Sequence, residues 1–267
     1  TPEEDKKARK AEKPRVALKE TFKRIDKEFL ETHGEGNATS GACAMVCYVA
    51  PGSVWAACAG DSRAVLVRKK RGVTAVAVSE DQNTSNKAEC AKVVARSHDE
   101  RAVRHHEAEG QRRSEQSVRR VAGTLMVTRA LGDGYLKEAK LSLPPYNAHL
   151  PYITGKPKVQ RQAVTKQDGY LVVATDGVWE HMTSDEVAVE VDRIFSEESD
   201  PAPKEHKHPA MRLVDTVIRH AADKVGLQAD QLKLLPPGKH RRTYLDDISV
   251  VIVDFGGGCK KRERDEE

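Results

Sequence analysis

"LVVATDGVWE", residues 171–180, is a run of apolar and β-branched residues that stops abruptly at an acid followed by a glycine. Residues 170–175 lack the apolar–polar alternation of a half-exposed strand, so they read as a strand covered on both faces. Asp176-Gly177 then turns the chain, which this dipeptide does well on local grounds alone. The pattern recurs. Asp81 follows a strand expected over 73–78, and Asp246-Asp247 immediately precede the apolar run "ISVVIVDF" at 248–255. Each acid has a bland explanation as turn or cap chemistry, but three strands presenting carboxylates at their ends can gather oxygen ligands at one sheet edge.

Carboxylates gathered in that way repel one another and raise one another's pKa, so they call for a cation. Hard oxygen donors without His or Cys favour Mg²⁺ or Mn²⁺ over zinc. The candidate metal ligands are therefore Asp81, Asp176 and Asp246. Asp61 sits in a short Gly-Asp-Ser turn between apolar runs, where local hydrogen bonding is reason enough for an acid. No C-x-x-C is present, and His105-His106 lies amid charges.

Around these acids the chain reads as blocks of strands separated by long helices. Short apolar runs at 42–50, 53–59 and 63–68, divided by Pro-Gly and Gly-Asp-Ser, predict consecutive antiparallel strands. A helix is expected from Pro14, with Leu18, Phe22, Ile25 and Phe29 at helical spacing. Thr183 and Glu186 have capping-box spacing ahead of an apolar face of Val187, Val191, Ile194 and Phe195. Met211, Val214, Val217, Ile218, Ala221 and Val225 mark another helix, and the Pro-rich stretch 144–157 a loop. Without a regular βαβ alternation, this order predicts an α+β fold with sheets packed between helices.

At 267 residues one domain is expected, spanning 14–256, with charged loose tails at 1–13 and 257–267 that lack apolar area to bury. Charged residues make up 32% of the chain and the net charge is only +4, with Lys and Arg interleaved with acids, which argues against a nucleic-acid footprint. No apolar run is long enough for a membrane span, and a soluble monomer is expected. The five cysteines are odd in number, and Cys43, Cys47 and Cys58 lie in strand-like runs, which suits a reducing intracellular compartment. Cys90 and Arg96 have the C-x5-R spacing of a cysteine phosphatase, but no glycine lies between them to wrap a phosphate, and the stretch reads as a helix.

"CAGDSRAVL", "RVAGTLMVTRALGD", "VVATDGVWE" and "DDISVVIV" occur in the order and approximate spacing found in the metal-dependent protein serine/threonine phosphatases of the protein phosphatase 2C family, and the chain resembles that family over roughly residues 15–255. "GYLKEA", "PPYNAHLPYITGKPKV" and "YLDDISVVIVDF" resemble the branch with pyruvate dehydrogenase phosphatase. The resemblance implies two packed antiparallel β-sheets, a β-sandwich flanked by α-helices in four αββα layers. It also implies two or more Mg²⁺ or Mn²⁺ ions and hydrolysis of phosphoserine and phosphothreonine in proteins by a metal-activated water. By motif position, Asp176 and Asp246 would be ligands of the principal metal site and Asp81 a ligand of a third, weaker ion. Arg63, Arg129 and Asp133 match positions expected to be structural supports, in the manner of a buried Arg–Asp pair.

The chain also departs from the family pattern. Glu180 stands where an Asp is common, Gln82 where a His is common and Asp247 where an Asn is common. No Asp-Gly-His-Gly precedes the first helix, so the family's general-acid His and phosphate-binding Arg have no match; "THGEGN" at 32–37 follows that helix and lacks the Asp. The expectation is a fragment of a phosphatase, with a catalytically inactive phosphatase-fold binding module as the alternative. A cytoplasmic location is expected from the cysteine usage, with the mitochondrion as the alternative if the likeness to pyruvate dehydrogenase phosphatase extends to location. Arg112 and Arg113 fall in a region corresponding to a variable flap, where their charge would tune docking of a phosphoprotein substrate.

Overall fold

A computed structural model describes residues 2–33, 36–105, 119–198 and 208–256, with the side chains of 2–11 and 198 left aside. Along the chain come α1 (Pro2–His33), β1 (Gly41–Ala42), β2 (Ala44–Ala50), β3 (Ser53–Ala59), β4 (Arg63–Lys69), β5 (Val73–Ala77), α2 (Lys87–Ser97), β6 (Val103–His105), β7 (Arg119–Val121) and β8 (Leu131–Gly132). They are followed by β9 (Lys158–Ala163), β10 (Asp168–Ala174), α3 (Asp176–Trp179), α4 (Ser184–Glu198), α5 (Pro209–Lys224), α6 (Ala229–Leu234), α7 (Lys239–Arg242) and β11 (Val250–Asp254). Antiparallel sheets packed with helices make this an α+β fold, the class expected from the sequence. By internal contacts the chain divides into two compact units, both discontinuous: 1–50, 55–62 and 79–161 form one, and 51–54, 63–78 and 162–267 the other.

The second unit is organised by a four-stranded antiparallel sheet in the order β11-β10-β4-β5. Its central strand β10 carries the run "YLVVA", and Leu171 and Val172, on opposite faces, are both fully buried. Burial on both faces explains the missing alternation. One face meets α4 and α5, where Val65, Val67 and Val172 join Val187, Val191, Ile194, Leu213 and Val217 in one core. Fully burying side chains of this size contributes about 1.5–3 kcal/mol each.

The start of α4 carries the expected reciprocal cap. The Thr183 N–H donates to Glu186 Oε2 at 2.7 Å, and the Glu186 N–H donates to Thr183 Oγ1 at 3.3 Å. On α5 the buried stripe is Leu213, Val217, Ile218 and Ala221, whereas Met211 and Val225, read as part of it, lie at the helix ends and are exposed.

The first unit contains α1, which begins at Pro2 and continues through Pro14, so the segment read as a loose tail has a helical backbone. Its Glu, Lys and Arg residues cannot be buried cheaply, yet with Ala they are strong helix formers and extend a nucleated helix at little cost. The inward stripe of α1 also differs from the expected one: Phe22 and Leu30 are buried, while Ile25 is 45% exposed. The slot between them is taken by Asp26, discussed below. A second core gathers Val93, Ala102, Val121, Leu136, Tyr152 and Ile153, the last two from the Pro-rich stretch read as a loop.

Residues 106–118, with Arg112 and Arg113, and the tail 257–267 lie outside the described residues, as do Gly34 and Glu35 of "THGEGN". Among the described residues, no helix is long and apolar enough to cross a membrane.

Candidate metal centre

The sheet register decides which acids meet. Ala174 pairs with Val250 at the last rung of the antiparallel β10–β11 ladder, so the residues leaving β10 lie beside those entering β11. The same rung continues to Arg63 at the start of β4. Asp176 follows β10 after Thr175, and Asp246 and Asp247 lie just ahead of β11, so these three acids flank one end of one sheet.

Thr175 fastens the two segments together. Its N–H donates to Ser249 O at 3.1 Å, its hydroxyl donates to Asp247 O at 3.1 Å, and the same hydroxyl accepts the Ser249 N–H at 3.0 Å. Trp179 then ties α3 back to the strand, its indole N–H donating to Ala174 O at 2.9 Å. Arg63 lies over the Trp179 ring, 5.0 Å from its centroid, and donates to Ser184 Oγ at 3.1 Å.

Gly177 has a reason beyond turn chemistry. A Cβ on it would stand 2.6 Å from Asp247 O and 3.1 Å from the Ile248 side chain, so only glycine lets the two backbones close to this distance. Gly177→Ala is expected to destabilise the protein by roughly 1–3 kcal/mol, as overpacking does. Denaturant unfolding checks this, and unchanged stability would mean that the approach is not required.

Asp81 belongs to the first unit, in company with Asp61. Asp61 is pushed above the usual carboxylate range, first by burial and further by the charge of Asp81, while a 3.2 Å hydrogen bond from the Cys43 thiol works the other way. Asn86 Nδ2 donates to Asp81 O at 3.0 Å, and Gln82 is almost fully buried with Oε1 accepting the Gly60 N–H at 3.2 Å. Asp61 is thus close enough to Asp81 to feel its charge. Burial pushes the Cys47 thiol up to about 11 and raises Cys58 as well, which suits packing rather than nucleophilic roles.

Asp176 and Asp246 flank one sheet end of the second unit, and Asp81 lies with Asp61 in the first. Among the described residues, no three His, Cys, Asp or Glu side chains are arranged to hold a metal. The donors that do come together at the sheet end are all oxygens, and one or two carboxylates completed by water are what Mg²⁺ accepts. Asp176 and Asp246 are donors of that chemical type.

Two charged groups near these elements were not read from the sequence as partners. Arg129 is not paired with Asp133 but clamps Glu89 of α2 with Nε and Nη2, both at 2.8 Å, and donates to Lys156 O at 2.9 Å. Burial alone would raise Glu89, but hydrogen bonds from Arg129 and Lys92 outweigh it and hold the carboxylate down at about 2. Asp133 instead lies buried, and burial pushes it up to about 6. Arg242, the other group, donates to Asp246 Oδ1 through Nε and Nη2, both at 3.2 Å. Asp246 lies beyond the end of α7, so no helical spacing signals this pair in the sequence. Cys90 and Arg96 are both in α2, where the thiol donates to Thr84 O at 3.3 Å and the guanidinium to Tyr152 O and Thr128 O, so the C-x5-R spacing is helical packing.

Comparison with known proteins bears on this arrangement. The family model for protein phosphatase 2C matches residues 2–224, which include Asp81 and Asp176. Among curated proteins, "Probable protein phosphatase 2C 67" of Arabidopsis thaliana is 30% identical over 254 residues, covering 88% of this chain and 63% of its own length. "Probable protein phosphatase 2C 38" of the same plant is 31% identical over 229 residues, covering 81% of this chain and 54% of its own. The chain thus spans between half and two thirds of the length of these relatives.

Among solved structures, a serine-threonine phosphatase 2C from Toxoplasma gondii aligns with a TM-score of 0.61 at 16% identity, over 90% of this chain and 66% of its own. A C. elegans sex determining protein aligns at 0.59 and 16% identity, over 88% and 45%. Identities this low speak to the fold alone. With a family model matched over most of its length and a fold of the same kind, the chain belongs to the protein phosphatase 2C family.

Proposed function

We propose that the protein removes phosphate from phosphoserine and phosphothreonine in protein substrates, with a divalent cation held by Asp176 and Asp246. The observation that supports this reading is the Ala174–Val250 pairing, which brings the backbone leaving β10 beside the backbone entering β11. Asp176 and Asp246 supply hard anionic oxygens; Thr175 and Gly177 keep their two segments in register. Trp179 and Arg63 hold α3 against the strand, limiting the motion of the carboxylate it bears. Mg²⁺ or Mn²⁺ bound there would acidify a water and offset negative charge on the phosphoryl oxygens. Asp81, with Asp61 beside it, is proposed as a ligand of a further, weaker ion.

Phosphate release from a phosphoserine or phosphothreonine peptide, followed with Mn²⁺ and with a chelator, tests the proposal. Release with Mn²⁺ only is expected. Release that survives chelation, or none under either condition, contradicts it.

A further inference from the structure

Asp246 is engaged: Oδ1 accepts Arg242 Nε and Nη2 at 3.2 Å each and the Asp247 N–H at 2.7 Å. Arg242 is the last residue of α7, a turn of four consecutive basic residues (Lys239, His240, Arg241, Arg242), none of them buried. The Arg242 side chain is 67% exposed and that of Asp246 30%. An exposed ion pair of this kind shifts an equilibrium by only about a factor of two. A dication offers twice the charge to the same carboxylate. The arginine stays tethered only four residues away, and its planar fork is matched to phosphate oxygens.

We propose that Arg242 is an exchangeable counter-cation. It neutralises Asp246 in the cation-free protein, yields the carboxylate when a divalent ion binds, and then contacts the phosphoryl oxygens of the phosphoprotein substrate. Arg242 thereby becomes a substrate-positioning residue supplied from α7. This rests on the proposed function, since it needs Asp246 to be a cation ligand.

Calorimetric titration of Mn²⁺, and of inorganic phosphate into Mn²⁺-loaded protein, tests it with Arg242→Gln, Arg242→Lys and Asp246→Asn. Arg242→Gln is expected to bind Mn²⁺ about twofold more tightly, the factor held by the surface pair. The same variant should bind phosphate roughly 5–10-fold more weakly, with Arg242→Lys between it and the native protein, as expected when a charged fork is lost and then partly restored. Arg242→Gln indistinguishable from the native protein in both titrations overturns the inference. If Asp246→Asn binds Mn²⁺ as the native protein does, the assigned ligand itself fails; if Asp246→Asn loses Mn²⁺ while Arg242→Gln changes nothing, only the exchange fails.

Discussion

Asp176→Asn is expected to lower Mn²⁺-dependent phosphate release by more than about 100-fold while the protein stays folded. Removing only an outer-shell partner of a metal ligand typically costs 10–100-fold, so removing a ligand should cost at least as much. The substitution keeps the shape of the side chain and exchanges an anionic oxygen for a neutral amide, so Thr175, Gly177 and Trp179 can still hold the two segments together. A loss of activity with unchanged unfolding thus isolates the charge. Equal rates for the two proteins would remove Asp176 from the chemistry.

Asp26→Ala is expected to destabilise the protein by about 3–5 kcal/mol, the range for breaking a buried ion pair from one side. Lys137 Nζ lies 2.6 Å and 2.9 Å from the two Asp26 oxygens and donates to Ala130 O at 2.8 Å. Asp26 also accepts the Gly132 N–H at 2.8 Å, and the side chains of Lys137 and Asp26 are only 7% and 14% exposed. Alanine leaves an ammonium buried without its counterion and a backbone N–H without its acceptor. Asp26→Ala combined with Lys137→Met should recover part of the loss, because the unpaired charge is then gone. Denaturant unfolding of both variants decides; a loss below about 1 kcal/mol in the single variant would mean that water satisfies the ammonium.

Asp26 also shows why part of the fold escaped a reading by pattern. The inward stripe of α1 passes through Phe22, Asp26 and Leu30, and a charged residue in the middle slot made Ile25 look like the better member. A periodicity rule scores side chains one at a time, while the burial of Asp26 depends on Lys137, more than a hundred residues away. The same holds for Glu89 and Arg129, whose pairing joins α2 to a distant loop. Strands β2 to β5, β10 and β11 were legible because continuous apolar runs have few other solutions. The strand β9 was not, since "KVQRQA" has Val159 alone as its buried residue.

For the candidate site, the strand-end position of Asp176 and Asp246 was legible from where the apolar runs stop. That β10 and β11 are neighbours was not, because pairing between strands so far apart in sequence leaves no local signal. Gly177 illustrates the difference: Asp-Gly looked like turn chemistry, whereas the glycine is demanded by the approach of the Asp247 carbonyl. Arg242 was passed over as one of many surface cations, and its meaning depends on which acid it faces.

The most direct test is whether Asp176 and Asp246 serve the same ion. Mn²⁺ titration of the native protein, of each single Asn variant and of the double variant measures this. If they share one cation, each single substitution abolishes the same binding event and the double variant loses nothing more. Two separate and additive losses, or binding unaffected by either substitution, would contradict a shared site at the end of the β10–β11 ladder.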